Sequence, residues 1–182
     1  MRIRVGDFRL GAEERQAIQE VIDSGKISES SKTREFEEKF ADYIGTKYCV
    51  VLNSGTSALI AGLYALRYHR KFKIEPLSKA ITSPLTYVAT SNAIVLSGLE
   101  PVYVDIDPDT FVITPENIKS LLSNPEWSKG IKAILPVHLI GYPCDMTTIN
   151  NLMSTIDVFL NVGIWPEGEN FKPNICTDTA SP

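Results

Sequence analysis

The sequence predicts an α/β protein built on a mainly parallel sheet with helices on both faces. Three observations predict it. From residue 46 onward, short runs rich in β-branched residues alternate with segments of three- and four-residue apolar spacing, the pattern of successive strand-helix units. With 182 residues, 43% of them hydrophobic and 22% charged, the chain is long enough to bury one α/β core. Small residues, Asn53-Ser54-Gly55-Thr56-Ser57-Ala58, stand where a strand runs into a helix, at the end of the sheet where such folds bind ligands.

Two helices come first. Ile18, Val21 and Ile22 recur at helical spacing within 13–24, with Gly25 as a stop, and Phe36, Phe40 and Tyr43 repeat the pattern within 32–43, ending at Gly45. Together they make an N-terminal helical segment, 1–45. The alternating part, 46–162, predicts strand 48–52, helix 56–68, strand 80–82, helix 87–97 stopped by Gly98, strand 101–104, helix 115–122, strand 131–135 and helix 146–153. Thr114 before Pro115 is a helix start, because threonine caps and proline needs no amide partner in the first turn. Residues 158–162 allow a further strand. From 163 to 182, Pro166, Pro173 and Pro182 interrupt a stretch with no period, an irregular tail.

The net charge of -4 argues against a general nucleic-acid binder, whose surface must displace counterions from phosphates. The one basic cluster, Arg67, His69, Arg70, Lys71 and Lys73, falls near the end of helix 56–68, where cations complement the dipole. Cys49, Cys144 and Cys176 are odd in number, far apart and without C-x-x-C or zinc-site spacing, so they read as free or buried thiols in a reducing compartment. No secretion pattern is visible in 1–11, and no apolar run approaches the ~20 residues that span a bilayer. The expectation is a cytoplasmic protein with neither a membrane nor a nucleic acid as partner. Asp105, Asp107 and Asp109, around Pro108, read as a solvated loop and not as a metal site.

At residues 53–58, free backbone N–H groups and the positive end of a helix dipole converge, and the hydroxyls of Ser54, Thr56 and Ser57 add hydrogen bonds. Such a turn suits a phosphate. A tight turn with an ordinary helix cap uses the same residue types, and the neighbouring segments decide between the two readings. Phe36-Glu37-Glu38-Lys39-Phe40-Ala41, Tyr43-Ile44-Gly45, the NSGTSAL turn, SPLTYVATSNAI from Ser83, EPVYVDIDP from Glu100 and PVHLIG from Pro136 follow in order. Together they resemble the sugar aminotransferases of the DegT/DnrJ/StrS family, over residues 6–150.

The resemblance implies the aspartate-aminotransferase-like fold, fold type I of the pyridoxal-phosphate enzymes, with 46–162 as an incomplete large domain. It implies pyridoxal 5'-phosphate (PLP) as cofactor, its phosphate held by Ser54, Gly55 and Thr56 and its pyridine ring against Tyr87. Both assignments suit the chemistry: an anion at a helix N-terminus, a flat π-system on an aromatic side chain. The implied substrates are a nucleotide-linked keto sugar and an amino-acid donor, glutamate, in amino-sugar and polysaccharide biosynthesis. Family members work as dimers, which makes a homodimer or a complementing chain the expected partner. In the His-x-x-Gly run, His138 is expected to be an architectural, hydrogen-bonded histidine.

Transamination needs a lysine amine that tethers the cofactor and moves a proton, and a carboxylate that keeps the pyridine nitrogen protonated. The family takes the carboxylate from the strand after helix 146–153 and the lysine from a later segment. Here Asn161 or Gly163 stands at the acidic position, depending on alignment, and Lys172 lacks the serine-rich run of the family's lysine motif. No catalytic residue is therefore assigned, and the tail is of the kind a frameshift or premature end leaves. Two expectations follow: an enzyme half that works with a second polypeptide, or a non-catalytic remnant retaining a PLP or phosphate site. The family also pairs its first strand with its seventh. Strand 48–52 would then lack a partner, leaving the chain marginally folded or aggregation-prone. A nucleotide-binding α/β protein is a weaker reading, because neither G-x-G-x-x-G nor a Walker-type lysine is present.

Overall fold

A run of strand-helix units folds by laying each helix back across the sheet, and the computed structural model, which describes residues 10–28, 31–68 and 74–152, shows that arrangement. Helices α1 (Ala12–Asp23) and α2 (Ser31–Ile44) come first, then α3 (Gly55–Tyr68), β1 (Lys79–Thr82), α4 (Val88–Leu96), β2 (Glu100–Tyr103), α5 (Pro115–Leu122), a single-turn α6 (Pro125–Ser128), β3 (Ile131–Leu135) and α7 (Met146–Leu152). The three strands form a parallel sheet in the order β2-β1-β3. Thr82 pairs with Tyr103 on one side and Leu135 on the other.

Strand side chains alternate between faces, so the sheet builds two apolar layers. On one face Ala80, Ala133 and Leu135 pack with Leu59 and Leu63 of α3 and with Ala93 and Ile94 of α4. On the other, Ile81 and Ile134 pack with Ile118 of α5 and with Met146 and Ile149 of α7. Leu63, Ile81, Ile94, Ile118, Ile134, Leu135 and Ile149 are fully buried, and each such side chain contributes about 1.5–3 kcal/mol by leaving water. Thr82 is also fully buried, and its hydroxyl donates to the Leu135 carbonyl at 2.8 Å, so no polar atom is stranded there. Helices on both faces of a parallel sheet are what the sequence predicts.

The helix ends follow the sequence signals. Thr114 Oγ1 accepts the Asn117 N–H at 3.2 Å ahead of Pro115, and Gly45 and Gly98 take the left-handed conformation, φ 73° and 76°, that ends α2 and α4. The single-turn α6 is capped by Asn124, whose side chain accepts the Glu126 N–H at 2.9 Å. It has no apolar period to betray it in the sequence.

One expectation needs correction, and one predicted helix forms with its apolar side chains exposed. Residues 48–52 form no strand: they make no ladder with the sheet, and Tyr48 and Val50 are each 73% exposed. β-branched composition favours a pleated surface but supplies no hydrogen-bonding edge, and among the described residues none lies alongside this segment. The amphipathic spacing of α1 likewise forms a helix without burying it: Ile18 and Ile22 are 50% and 56% exposed. The predicted strand 158–162, the tail 163–182, Asn161, Gly163, Lys172 and Cys176 lie outside the described residues, as do His69, Arg70, Lys71 and Lys73. Among the described residues no helix is long and apolar enough to cross a membrane.

Candidate functional site

The N-terminus of α3 opens at Gly55, directly after the non-strand segment 48–52 and its turn. Ser54 is the cap: its carbonyl accepts the Ala58 N–H at 3.0 Å, its Oγ accepts the Ser57 N–H at 3.1 Å, and its hydroxyl donates to Ser57 Oγ at 3.0 Å. The N–H groups of Gly55 and Thr56 have no hydrogen-bond partner among the described residues. They are the orphan donors of the first turn, and the helix dipole makes their surroundings positive. A Cβ at Gly55 meets no protein atom within 4 Å, and its φ lies outside the left-handed region. Among the described residues neither packing nor backbone conformation calls for glycine here, and two unpartnered donors beside the open space at the Gly55 Cβ position suit an anion.

Tyr87 stands at the N-terminus of α4 in extended conformation, 78% exposed as a residue. The loop before it is held from both sides. Ser83 Oγ accepts the Leu85 N–H at 3.0 Å, and Thr86 Oγ1 and Thr90 Oγ1 share a hydrogen bond of 2.9 Å. The sequence reading missed these supports, since Ser and Thr in a turn give no signal beyond the turn itself.

The structure brings Tyr87 and the α3 turn to one side of the molecule. α3 and α4 pack on the same face of the sheet; α3 precedes β1 and α4 follows it. The C-terminal end of α4 returns to the start of β1, where the Leu77 N–H donates to the Gly98 carbonyl at 3.0 Å. Ser97 is held by α3, its Oγ donating to the Ile60 carbonyl at 3.4 Å and its carbonyl accepting from Arg67 Nη1 at 3.2 Å. Both N-termini therefore lie at the opposite end, beyond the C-terminal edge of β1, where parallel sheets carry their ligands. Arg67 also lies over the Tyr64 ring, 5.4 Å from its centroid, so this member of the basic cluster closes the C-terminus of α4.

The remaining candidates serve the scaffold. His138 is buried, and its Nδ1 accepts the Cys144 N–H at 3.0 Å, which leaves the ring proton on Nε2 and ties the end of β3 to the approach of α7. This is the architectural, hydrogen-bonded role expected of it. Burial pushes the Cys144 thiol up to about 11, so it stays protonated near neutrality, and its Sγ lies 3.4 Å from the Val137 carbonyl. Cys49 is partly buried, its thiol raised by burial and by the Glu37 charge. Asp107 folds its own turn: Oδ1 accepts from the N–H groups of Asp109 and Thr110 and from the Thr110 hydroxyl, which together hold its carboxyl below the usual range. Among the described residues no three His, Cys, Asp or Glu side chains are grouped to hold a metal.

Comparison with known proteins places this geometry in a family. The profile of the DegT/DnrJ/EryC1/StrS aminotransferase family matches residues 9–161. The spore coat polysaccharide biosynthesis protein SpsC of Bacillus subtilis is 38% identical over 140 residues, covering 77% of this chain and 33% of that protein. Among solved structures, an aminotransferase from Psychrobacter cryohalolentis aligns with a TM-score of 0.73 at 31% identity, covering 84% of this chain and 37% of that one. A GDP-4-keto-6-deoxymannose-3-dehydratase, solved with a trapped PLP-glutamate geminal diamine, aligns with a TM-score of 0.80 at 27% identity, covering 88% and 40%. The chain thus spans about a third of the length of the curated relative, and its sheet and helices correspond to part of the PLP-transferase fold type I. By the extent of that match, the chain belongs to the DegT/DnrJ/EryC1/StrS aminotransferase family.

Proposed function

We propose that this chain carries the phosphate seat and aromatic platform of a PLP-dependent enzyme that transfers an amino group from an amino acid to a nucleotide-linked keto sugar. The observation that carries the reading is the pair of unpartnered N–H groups on Gly55 and Thr56 at the start of α3, in a family whose solved members hold PLP. When bound, PLP supplies an electron sink for bonds broken at the carbon bearing the amine. The Gly55 and Thr56 amides would donate to its phosphate, with the α3 dipole adding favourable potential. The Ser54 hydroxyl, which caps α3, would support that contact, while the exposed Tyr87 ring would cover one face of the pyridine. Glutamate as donor is supported by the trapped PLP-glutamate adduct of the dehydratase relative.

In this reading the seat belongs to the unit 46–162, preceded by the helical segment 1–45, and the protein acts in the cytoplasm beside a second polypeptide that supplies the lysine and the carboxylate, with a homodimer as the alternative assembly. A non-catalytic PLP-binding module is the second reading, favoured by the absence of an acidic residue at Asn161 or Gly163. Incubation with PLP followed by borohydride separates the two. A covalent adduct mapped to one lysine supports the enzyme, and saturable PLP binding with no specific adduct supports the module. Binding of neither PLP nor its phosphate-bearing analogues contradicts both.

A further inference from the structure

The stretch entering the seat, residues 48–53, belongs to neither helix nor sheet, yet it leads directly into the first-turn amides of α3. Among the described residues one long-range hydrogen bond holds it: the Val51 N–H donates to Glu37 Oε1 at 2.9 Å, across 14 residues of sequence. Glu37 Oε2 accepts from Arg34 Nη1 at 2.8 Å, so both carboxylate oxygens are engaged. Glu37 is the one buried carboxylate among the described residues, 8% exposed, while Glu35 and Glu38 on the same helix face solvent. It belongs to neither apolar cluster of the sheet. A carboxylate leaves water at a cost that only satisfied oxygens offset, and here one of those oxygens is satisfied by the backbone leading into Ser54.

The geometry points to Glu37 as a positioning residue for the phosphate seat: its carboxylate pins Val51, so that the Gly55 and Thr56 amides meet a phosphate already oriented. This rests on the reading above that the start of α3 binds the cofactor phosphate. Without the tether the amides remain, but a ligand must order the segment as it binds, which lowers affinity without removing a contact.

The test uses the full chain with pyridoxamine 5'-phosphate, which forms no adduct with surface lysines, and with pyridoxamine, which lacks the phosphate. Glu37→Ala is expected to weaken the phosphorylated probe by about tenfold and leave pyridoxamine within about twofold, because ordering the seat is a cost that only phosphate binding meets. Amide hydrogen exchange at Val51 is expected to quicken while β1 and β3 keep their protection. Glu37→Gln retains an acceptor for the Val51 N–H and is expected to recover most of the affinity, whereas a loss equal to that of Glu37→Ala overturns the tether. A wild type that binds the probe and a Glu37→Ala chain that binds it equally well overturn the role of Glu37 and leave the cofactor reading standing. A wild type that does not bind the probe overturns both. If Glu37→Ala does not fold, exchange in the wild type decides: a Val51 amide protected like the core supports the tether, and one exchanging at the open-chain rate overturns it.

Discussion

Single residues divide the seat into groups that shape it and groups that face outward. Ser54 shapes it: its hydroxyl caps α3, and Ser54→Ala is expected to cost about 1 kcal/mol of stability in a denaturant melt, the usual loss for a helix cap. Gly55 faces outward. Gly55→Ala meets no neighbour and exchanges glycine for a better helix former, so stability should hold or rise by a few tenths of a kcal/mol while affinity for pyridoxamine 5'-phosphate falls. A fall in both would assign Gly55 to the fold instead. Glu37 adds a pH signature. The Val51 N–H first, and Arg34 after it, hold its carboxyl below the ordinary 4.5. A depressed carboxyl contributes stability that is present above its unfolded pKa and lost as pH falls through the folded value. Protection of the Val51 amide should therefore persist down to the ordinary carboxyl range and fade below it in the wild type, with Glu37→Gln showing no such step. The helix start at Ser54 to Thr56 was legible in the sequence as small residues ahead of a helical run, while its proposed role as a phosphate seat came from the neighbouring segments that resemble the family. Glu37 was not, since nothing in the order of residues separates it from Glu35 and Glu38 until the chain folds back and brings Val51 to it.

At the scale of elements, caps and faces have separate effects. Thr114→Ala removes the cap of α5 and is expected to cost about 1 kcal/mol in the same melt, yet to leave probe binding unchanged, because α5 packs on the face of the sheet away from α3 and α4. The sequence foretold α5 and β3 by strong local signals, a Thr-Pro start in one and a run of buried aliphatic residues in the other. It misread 48–52 for a non-local reason. Val50, Val51 and Leu52 have strand composition, but a strand exists only beside another, and that neighbour is not encoded in the segment itself.

For the whole molecule, the consequence is an apolar flank exposed among the described residues. Phe36, Phe40 and Tyr43 line one side of α2 with their rings 5.5 and 6.3 Å apart in turn, exposed by 54%, 39% and 70%. Exposed apolar surface of this kind drives association, so the chain is expected to self-associate as concentration rises, and Tyr43→Lys to shift light scattering toward the monomer without weakening the probe. The central claim concerns the start of α3, where the Gly55 and Thr56 amides are unpartnered among the described residues. The most direct measurement follows those two amide resonances in a ¹⁵N-labelled chain as pyridoxamine 5'-phosphate is added. The account predicts saturable shifts at both, reproduced by inorganic phosphate and absent with pyridoxamine. Resonances that stay in place while the probe binds elsewhere, or does not bind, would contradict it.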